Sequence, residues 1–114
     1  FYQTFIWAKK AVELGDNSQK SLMALALDRF LVNTGHKQLF GSQAFKTFEK
    51  ESSCYCLRQI EKDFPDNLRL QYVGKNLKDQ LGWLEELNKN NKCQNKECDE
   101  KLKPSPRGTI PGFW

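Results

Sequence analysis

Asp28 and Arg29 stand side by side in a stretch that is otherwise almost wholly apolar, Ala24-Leu25-Ala26-Leu27-Asp28-Arg29-Phe30-Leu31-Val32. Ionised groups in such surroundings are costly unless paired or hydrogen-bonded, so both must face partners. The next segment supplies polar groups: Gln38, Ser42 and Gln43 carry amides and a hydroxyl, and Gly41 lets the backbone approach closely. Glu61 adds a second carboxylate farther on. Two readings are open to this set. In one, Asp28, Arg29, Gln38, Gln43 and Glu61 line a small polar ligand-binding site; Asp28 or Glu61 is then the acid or base and Arg29 holds an anion, as in a small hydrolase. In the other, Asp28 and Arg29 tie the loop to the helix by satisfied hydrogen bonds, the commoner fate of buried polar groups.

The four cysteines carry a second kind of chemistry. Cys54 and Cys56 lie in one segment and Cys93 and Cys98 in another, an even count that permits three pairings. A bridge between residues two apart is strained, which favours connections from Cys54 and Cys56 to Cys93 and Cys98. Closing a loop of about forty residues contributes roughly 4 kcal/mol through the unfolded chain. Four thiolates also satisfy a zinc ion, but Cys-x-Cys with Cys-x4-Cys departs from the usual knuckle spacing. Disulfides are therefore preferred, and with them an oxidising compartment, periplasmic or secreted. The lone histidine, His36, follows Gly35 and suits the end of a helix, where the dipole favours a cation.

The elements that must position these residues are mostly helices. Phe5, Ile6, Trp7, Ala8, Ala11, Val12 and Leu14 recur at helical spacing and predict a helix over residues 2–14 with most of these groups on one face and Lys9, Lys10 and Glu13 largely opposite. Gly15 ends it, and Asp16, Asn17 or Ser18 caps the next. Residues 19–33 form the second helix, apolar around so much of its circumference that it reads as the central buried element. Helical period then disappears until Ile60, and short strands are expected around residues 38–40 and 55–57. Pro65 and Gly74 bracket a short helix or strand with Leu68, Leu70 and Tyr72. Leu77, Leu81, Leu84 and Leu87 predict a last helix over 76–88, with Trp83 beside the stripe. Pro104, Pro106 and Pro111 leave an extended tail. The fold expected is mainly α: a small domain of three or four helices over 1–103, with a possible β-hairpin, and a Pro-rich tail over 104–114 packed on it.

The run Asp28-Arg29 followed by Gly35-His36-Lys37-Gln38-Leu39-Phe40-Gly41-Ser42-Gln43 resembles a widespread bacterial family of helical domains of unknown function. In that family a helix bearing Asp-Arg precedes Gly-x-x-Gln-x-Tyr-Gly-Thr-Gln; here Phe40 replaces Tyr and Ser42 replaces Thr. Ile60-Glu61 matches part of a downstream Ile-Glu-Asp element, with Lys62 in place of Asp. The resemblance implies a helical fold and a polar cluster, but no activity, and the family's upstream histidine-bearing helix has no counterpart here.

With 114 residues the chain builds one core, and its fourteen aromatic residues are enough to fold it. No apolar run approaches the roughly 18 residues of a membrane span. The net charge of +4 is spread among fourteen acids, which argues against nucleic acid as partner and leaves electrostatic binding through the lysines at 89–103 as a third, weaker reading. The opening at Phe1, straight into an amphipathic pattern, suggests a removed leader or further upstream sequence. No nucleotide loop, nucleophile–base pair or metal spacing occurs, and no cofactor is called for. The first expectation is thus a binding protein of an exported bacterial system, an accessory, inhibitor or immunity-type partner, that acts on another protein. The hydrolase with Asp28, Glu61 and Arg29 is the alternative.

Overall fold

In the computed structural model, the structure describes residues 2–49, 52–89, 96–108, 110 and 114. Four α-helices and one antiparallel hairpin follow in the order α1 (Tyr2–Glu13), α2 (Lys20–Asn33), β1 (Ala44–Glu49), β2 (Ser52–Leu57), α3 (Asp66–Val73) and α4 (Leu77–Asn88). A short 3-10 turn, Asn17–Gln19, links the first two helices. The mainly α class expected from the sequence is the class observed.

Local chemistry sets most boundaries. Gly15, at φ 97°, turns the chain out of α1, and its N–H donates to the Val12 carbonyl at 3.0 Å. Asp16 then caps the 3-10 turn by accepting from the Ser18 backbone at 3.1 Å. Asn76 and Asp79 form a reciprocal capping box at the start of α4, each accepting the other's backbone N–H. Asp66 opens α3 with Pro65 just before it, and Gly74 ends that helix in the left-handed conformation.

The main core lies where α1, α2, the loop after α2 and α3 meet. Leu27, Leu31, Leu39 and Phe40 are fully enclosed in it, and Phe64 nearly so. Phe40 meets Phe64 edge-on at 5.0 Å between ring centres, and Trp114 meets Phe64 from beyond at 5.4 Å, which pins the tail to the domain. A smaller cluster of Leu57, Ile60 and Leu84, flanked by Tyr55, Leu77 and Trp83, seats α4 on β2.

Three expectations change. Among the described side chains of α1 only Phe5 and Ala8 are buried; Ile6 and Trp7, and Leu14 just past its end, are exposed, because α2 and the turn before it cover one side of this helix. In α2, Leu22 and Leu25 likewise face outward. In α4, Leu81 is exposed whereas Gln80 and Asn88 are buried, since the inward stripe runs through 80, 84 and 88. The expected strand at 38–40 is also absent: the segment curls around Asp28 with Gly41 at φ 83°, and only an isolated parallel bridge joins Gln38 to Ile60. The strand at 55–57 lies within β2, whose Cys56 stands opposite Phe45.

Cys56 and Cys98 form a disulfide spanning 42 residues, with Cα atoms 5.0 Å apart. Cys54 is disulfide-bonded as well, so none of these three thiols is left for a zinc site; Cys93 lies outside the described residues. From Lys96 onward the chain straps itself along the hairpin base. Leu57 donates to the Lys96 carbonyl at 3.1 Å, and Cys98 donates to the Leu57 carbonyl at 2.7 Å.

Candidate functional site

The loop from Gln38 to Gln43 runs through the interior, with Leu39 and Phe40 at zero exposure. A buried loop leaves backbone groups without water, so other groups must satisfy them. Side chains from three separate helices do this.

Asp28, fully enclosed on α2, supplies most of the acceptors. One carboxylate oxygen accepts from Leu39 N at 2.9 Å and Phe40 N at 3.0 Å. The other accepts from Ser42 N at 3.0 Å and Ser42 Oγ at 2.7 Å. Burial pushes this carboxyl above its ordinary value, and the hydrogen bonds from Phe40, Ser42 and Leu39 pull in the opposite direction.

Gln38 clamps the far end of the loop. Its Oε1 accepts from Gln43 N at 2.8 Å, while its Nε2 donates to the Gln43 carbonyl at 3.0 Å and the Arg58 carbonyl at 2.7 Å. The Gln43 side chain contributes less: its Nε2 donates to Ser42 Oγ at 3.2 Å.

Glu61 enters through backbone and side chain together. Its N–H donates to the Gln38 carbonyl at 2.8 Å, and its Oε2 accepts from Ser105 N at 3.1 Å, fastening the tail. The structure thus joins Asp28, Gln38 and Gln43 through one loop and adds Glu61 at its edge, with the two carboxylates bound to different segments. Arg29 lies on the exposed side of α2, one residue round from Asp28. His36 takes the helix-end position expected of it, with its N–H on the Leu31 carbonyl at 2.8 Å and Nδ1 3.1 Å from Thr34 Oγ1.

Several participants were not legible as such. Arg69, 2% exposed, donates from Nε to the Leu39 carbonyl at 2.8 Å and from Nη2 to the Glu61 carbonyl at 2.7 Å; its Nη1 pairs with Asp66 at 2.9 Å. Hydrogen bonds from Arg69 and Leu77 hold the Asp66 carboxyl below its ordinary range. Gln80 donates to the Phe40 carbonyl at 3.2 Å, and Asn88 exchanges two bonds with the Tyr55 backbone at 2.8 and 2.9 Å. On the tail, Glu100 pairs with Arg58 at 2.9 Å and accepts from Gln59 N at 3.0 Å, while Glu97 accepts from Ile60 N at 2.9 Å. Helical spacing carried a signal for Gln80 and Asn88, which share a stripe with Leu84. Arg69 gave none, because its partners are carbonyls of a distant loop.

Chemically, then, the polar cluster substitutes for backbone pairing and fixes the loop against α2, α3 and α4. The surface offers something else. Of the exposed large apolar side chains, Ile6, Trp7, Leu14, Leu22 and Leu25 all belong to the α1–α2 hairpin and its turn, with Trp7 at 73% and Leu14 at 80% exposure. Between the two helices lies an open groove of about 450 Å³ walled by Trp7, Ala8, Ala11 and Leu22, with Asp16 and Gln19 contributed by the turn. Among the described residues no group of histidine, cysteine and acidic side chains is arranged to hold a metal, and no helix is long and apolar enough to cross a membrane. Comparison of the chain with family models, with curated proteins and with solved structures finds no match.

Proposed function

We propose that this chain is a binding module for another protein, working in an exported bacterial system, and that it belongs with the helical domains sharing its Asp-Arg and Gly-x-x-Gln-x-aromatic-Gly motif. The observation that carries this reading is the concentration of exposed Ile6, Trp7, Leu14, Leu22 and Leu25 on one helical hairpin. Two of them, Trp7 and Leu22, line one groove, and apolar surface grouped in this way supports an interaction site, whereas isolated exposed apolar residues are ordinary. The cluster around Asp28 supports the same reading from the other side. Its hydrogen bonds run to the chain's own backbone, which suits a rigid scaffold presenting a surface. Disulfide-bonded cysteines support an oxidising location.

The test is a selection of displayed random peptides on the folded, oxidised protein, with the Trp7→Ser/Leu22→Ser double variant as counter-target. Peptides that bind the parent and lose the double variant are the expected outcome. Selected peptides indifferent to both substitutions, or none at all, would sink the assignment to this hairpin.

A further inference from the structure

We infer that residues 96–105 form a self-registering latch: the strap seats on the 57–61 segment through hydrogen bonds first, and that seating directs Cys98 to Cys56 rather than to Cys54. The choice needs an agent. Cys54 and Cys56 stand two apart on β2, so both side chains leave the same face of the strand. The observed bridge closes a separation of 42 residues, and joining Cys98 to Cys54 would close one only two longer. Closure entropy separates the two by about 1.1-fold, which selects nothing. Apolar burial does not select either, since no residue from 96 to 104 is buried and Ser105 is the first that is.

The polar contacts make the choice. Leu57 holds the strap by both backbone groups, donating to the Lys96 carbonyl and accepting from Cys98 N. Glu97 and Glu100, on either side of Cys98, accept the consecutive N–H groups of Ile60 at 2.9 Å and Gln59 at 3.0 Å. Gln59 in turn donates its side-chain amide to the Cys98 and Glu100 carbonyls at 3.3 and 2.7 Å. Charge reinforces the fit, with Arg58 on Glu100 at 2.9 Å and Lys62 on Glu97 at 2.8 Å. A slip by one residue would turn the strap side chains to the other face and carry Cys98 away from β2. A slip by two toward Cys54 would need the backbone of Tyr55, whose N–H and carbonyl Asn88 already occupies. The register that remains puts Cys98 at Cys56, with Cα atoms 5.0 Å apart. Oxidation then only fixes what is seated. One cysteine thiolate opens the S–S bond of a disulfide oxidant such as glutathione disulfide and releases one glutathione. The other cysteine displaces the second glutathione from the mixed disulfide, and the two cysteine protons end on the two glutathione thiols.

Two measurements on the full chain test the latch. In the first, reduced protein is oxidised with glutathione disulfide in native buffer and, separately, in denaturant. Remaining thiols are alkylated, and Cys98–Cys56 and Cys98–Cys54 linkages are counted by mass spectrometry of a non-reducing digest cut at Tyr55. Their ratio is expected to be about one in denaturant and at least about tenfold higher in native buffer. Glu97→Ala/Glu100→Ala is expected to lose about tenfold of that preference, the scale of one hydrogen bond to a charged group. Asp99→Ala/Lys101→Ala, which changes two exposed side chains beside the same cysteine, is expected to keep it. Equal ratios in native and denatured parent, or a folded Glu97→Ala/Glu100→Ala with the parent ratio, overturn the inference. The second measurement needs no carboxylate variant: it follows amide exchange of Gln59 and Ile60 in Cys56→Ser/Cys98→Ser. Protection of both amides is the expected result, because the strap then seats with no bridge to hold it. Exchange of both at the rate of an exposed peptide, with the Leu27 and Leu31 amides still protected, means that the bridge seats the strap and the latch is wrong.

Discussion

Asp28 shows what a buried acid does when its partners are all backbone. Replacing it by alanine removes acceptors from Leu39, Phe40 and Ser42 together, inside a core where water does not reach them. Asp28→Ala is therefore expected to lower unfolding free energy by about 4 kcal/mol, read from urea denaturation. The two glutamines separate by the same logic. Gln38→Ala strips three hydrogen bonds from the loop and is expected to cost about 3 kcal/mol, whereas Gln43→Ala loses a single side-chain bond to Ser42 and costs under about 1 kcal/mol. A reversed order would mean that the Gln43 side chain has a role beyond the loop. Asp66 gives a pH signature. Its carboxyl is held below its ordinary value of 3.8 in the folded chain, so the stability it adds is present above that pH and disappears as acid carries the pH down through the folded value. Asp28 acts in the opposite sense, because burial raises its carboxyl and its ionisation opposes folding. Comparing Asp66→Asn with its parent at each pH isolates the first effect: the two are expected to differ at neutral pH and to converge in acid.

At the scale of elements, the loop after α2 is held by geometry as well as by hydrogen bonds. Gly41 has φ 83°, and a Cβ there would lie 3.1 Å from Gln80 Cγ and 3.3 Å from Ile60 Cδ1. Gly74 has φ 69° with nothing within 4 Å. Gly74→Ala is thus expected to cost only the left-handed backbone penalty, about 1 kcal/mol, and Gly41→Ala measurably more, since the buried Gln80 and Ile60 side chains must give way as well. The Cys56–Cys98 bridge works on a larger loop. Cys56→Ser/Cys98→Ser is expected to lower stability by clearly less than the roughly 4 kcal/mol that the chain-entropy account gives for an isolated loop of this length, because the bridge at Cys54 still constrains the unfolded chain, with the loss read from thermal unfolding of the oxidised protein. Glu97, Glu100 and Ser105 hold the same strap by hydrogen bonds, so the strap is expected to stay seated in that variant.

The whole molecule divides its labour between an interior closed on itself and a helical hairpin with apolar groups outside. α1 packs on α2 through Phe5 and Ala8 and leaves Trp7 to solvent. Trp7→Ser is accordingly expected to change stability by no more than about 0.5 kcal/mol, an ordinary surface effect, while abolishing peptide capture at the groove. A large loss of stability in that variant would show that the indole belongs to the fold rather than to an interface.

Residue order alone settled α1, α2 and α4, because caps and breakers such as Gly15, Asp16 and Asn76 act on neighbours within one turn, and it left the segment between Pro65 and Gly74 open between helix and strand. It also flagged Asp28 as a group in need of partners, since an acid among leucines and alanines stands out wherever the chain goes. Tertiary structure decided which partners those were. Arg69, Gln80 and Glu61 meet the loop across long stretches of sequence, and no periodicity records which carbonyl a guanidinium will reach. Tertiary structure also decided which apolar residues stay outside: α2 and the turn before it shield one side of α1, so a hydrophobic pattern that reads as core leaves Ile6, Trp7 and Leu14 in water.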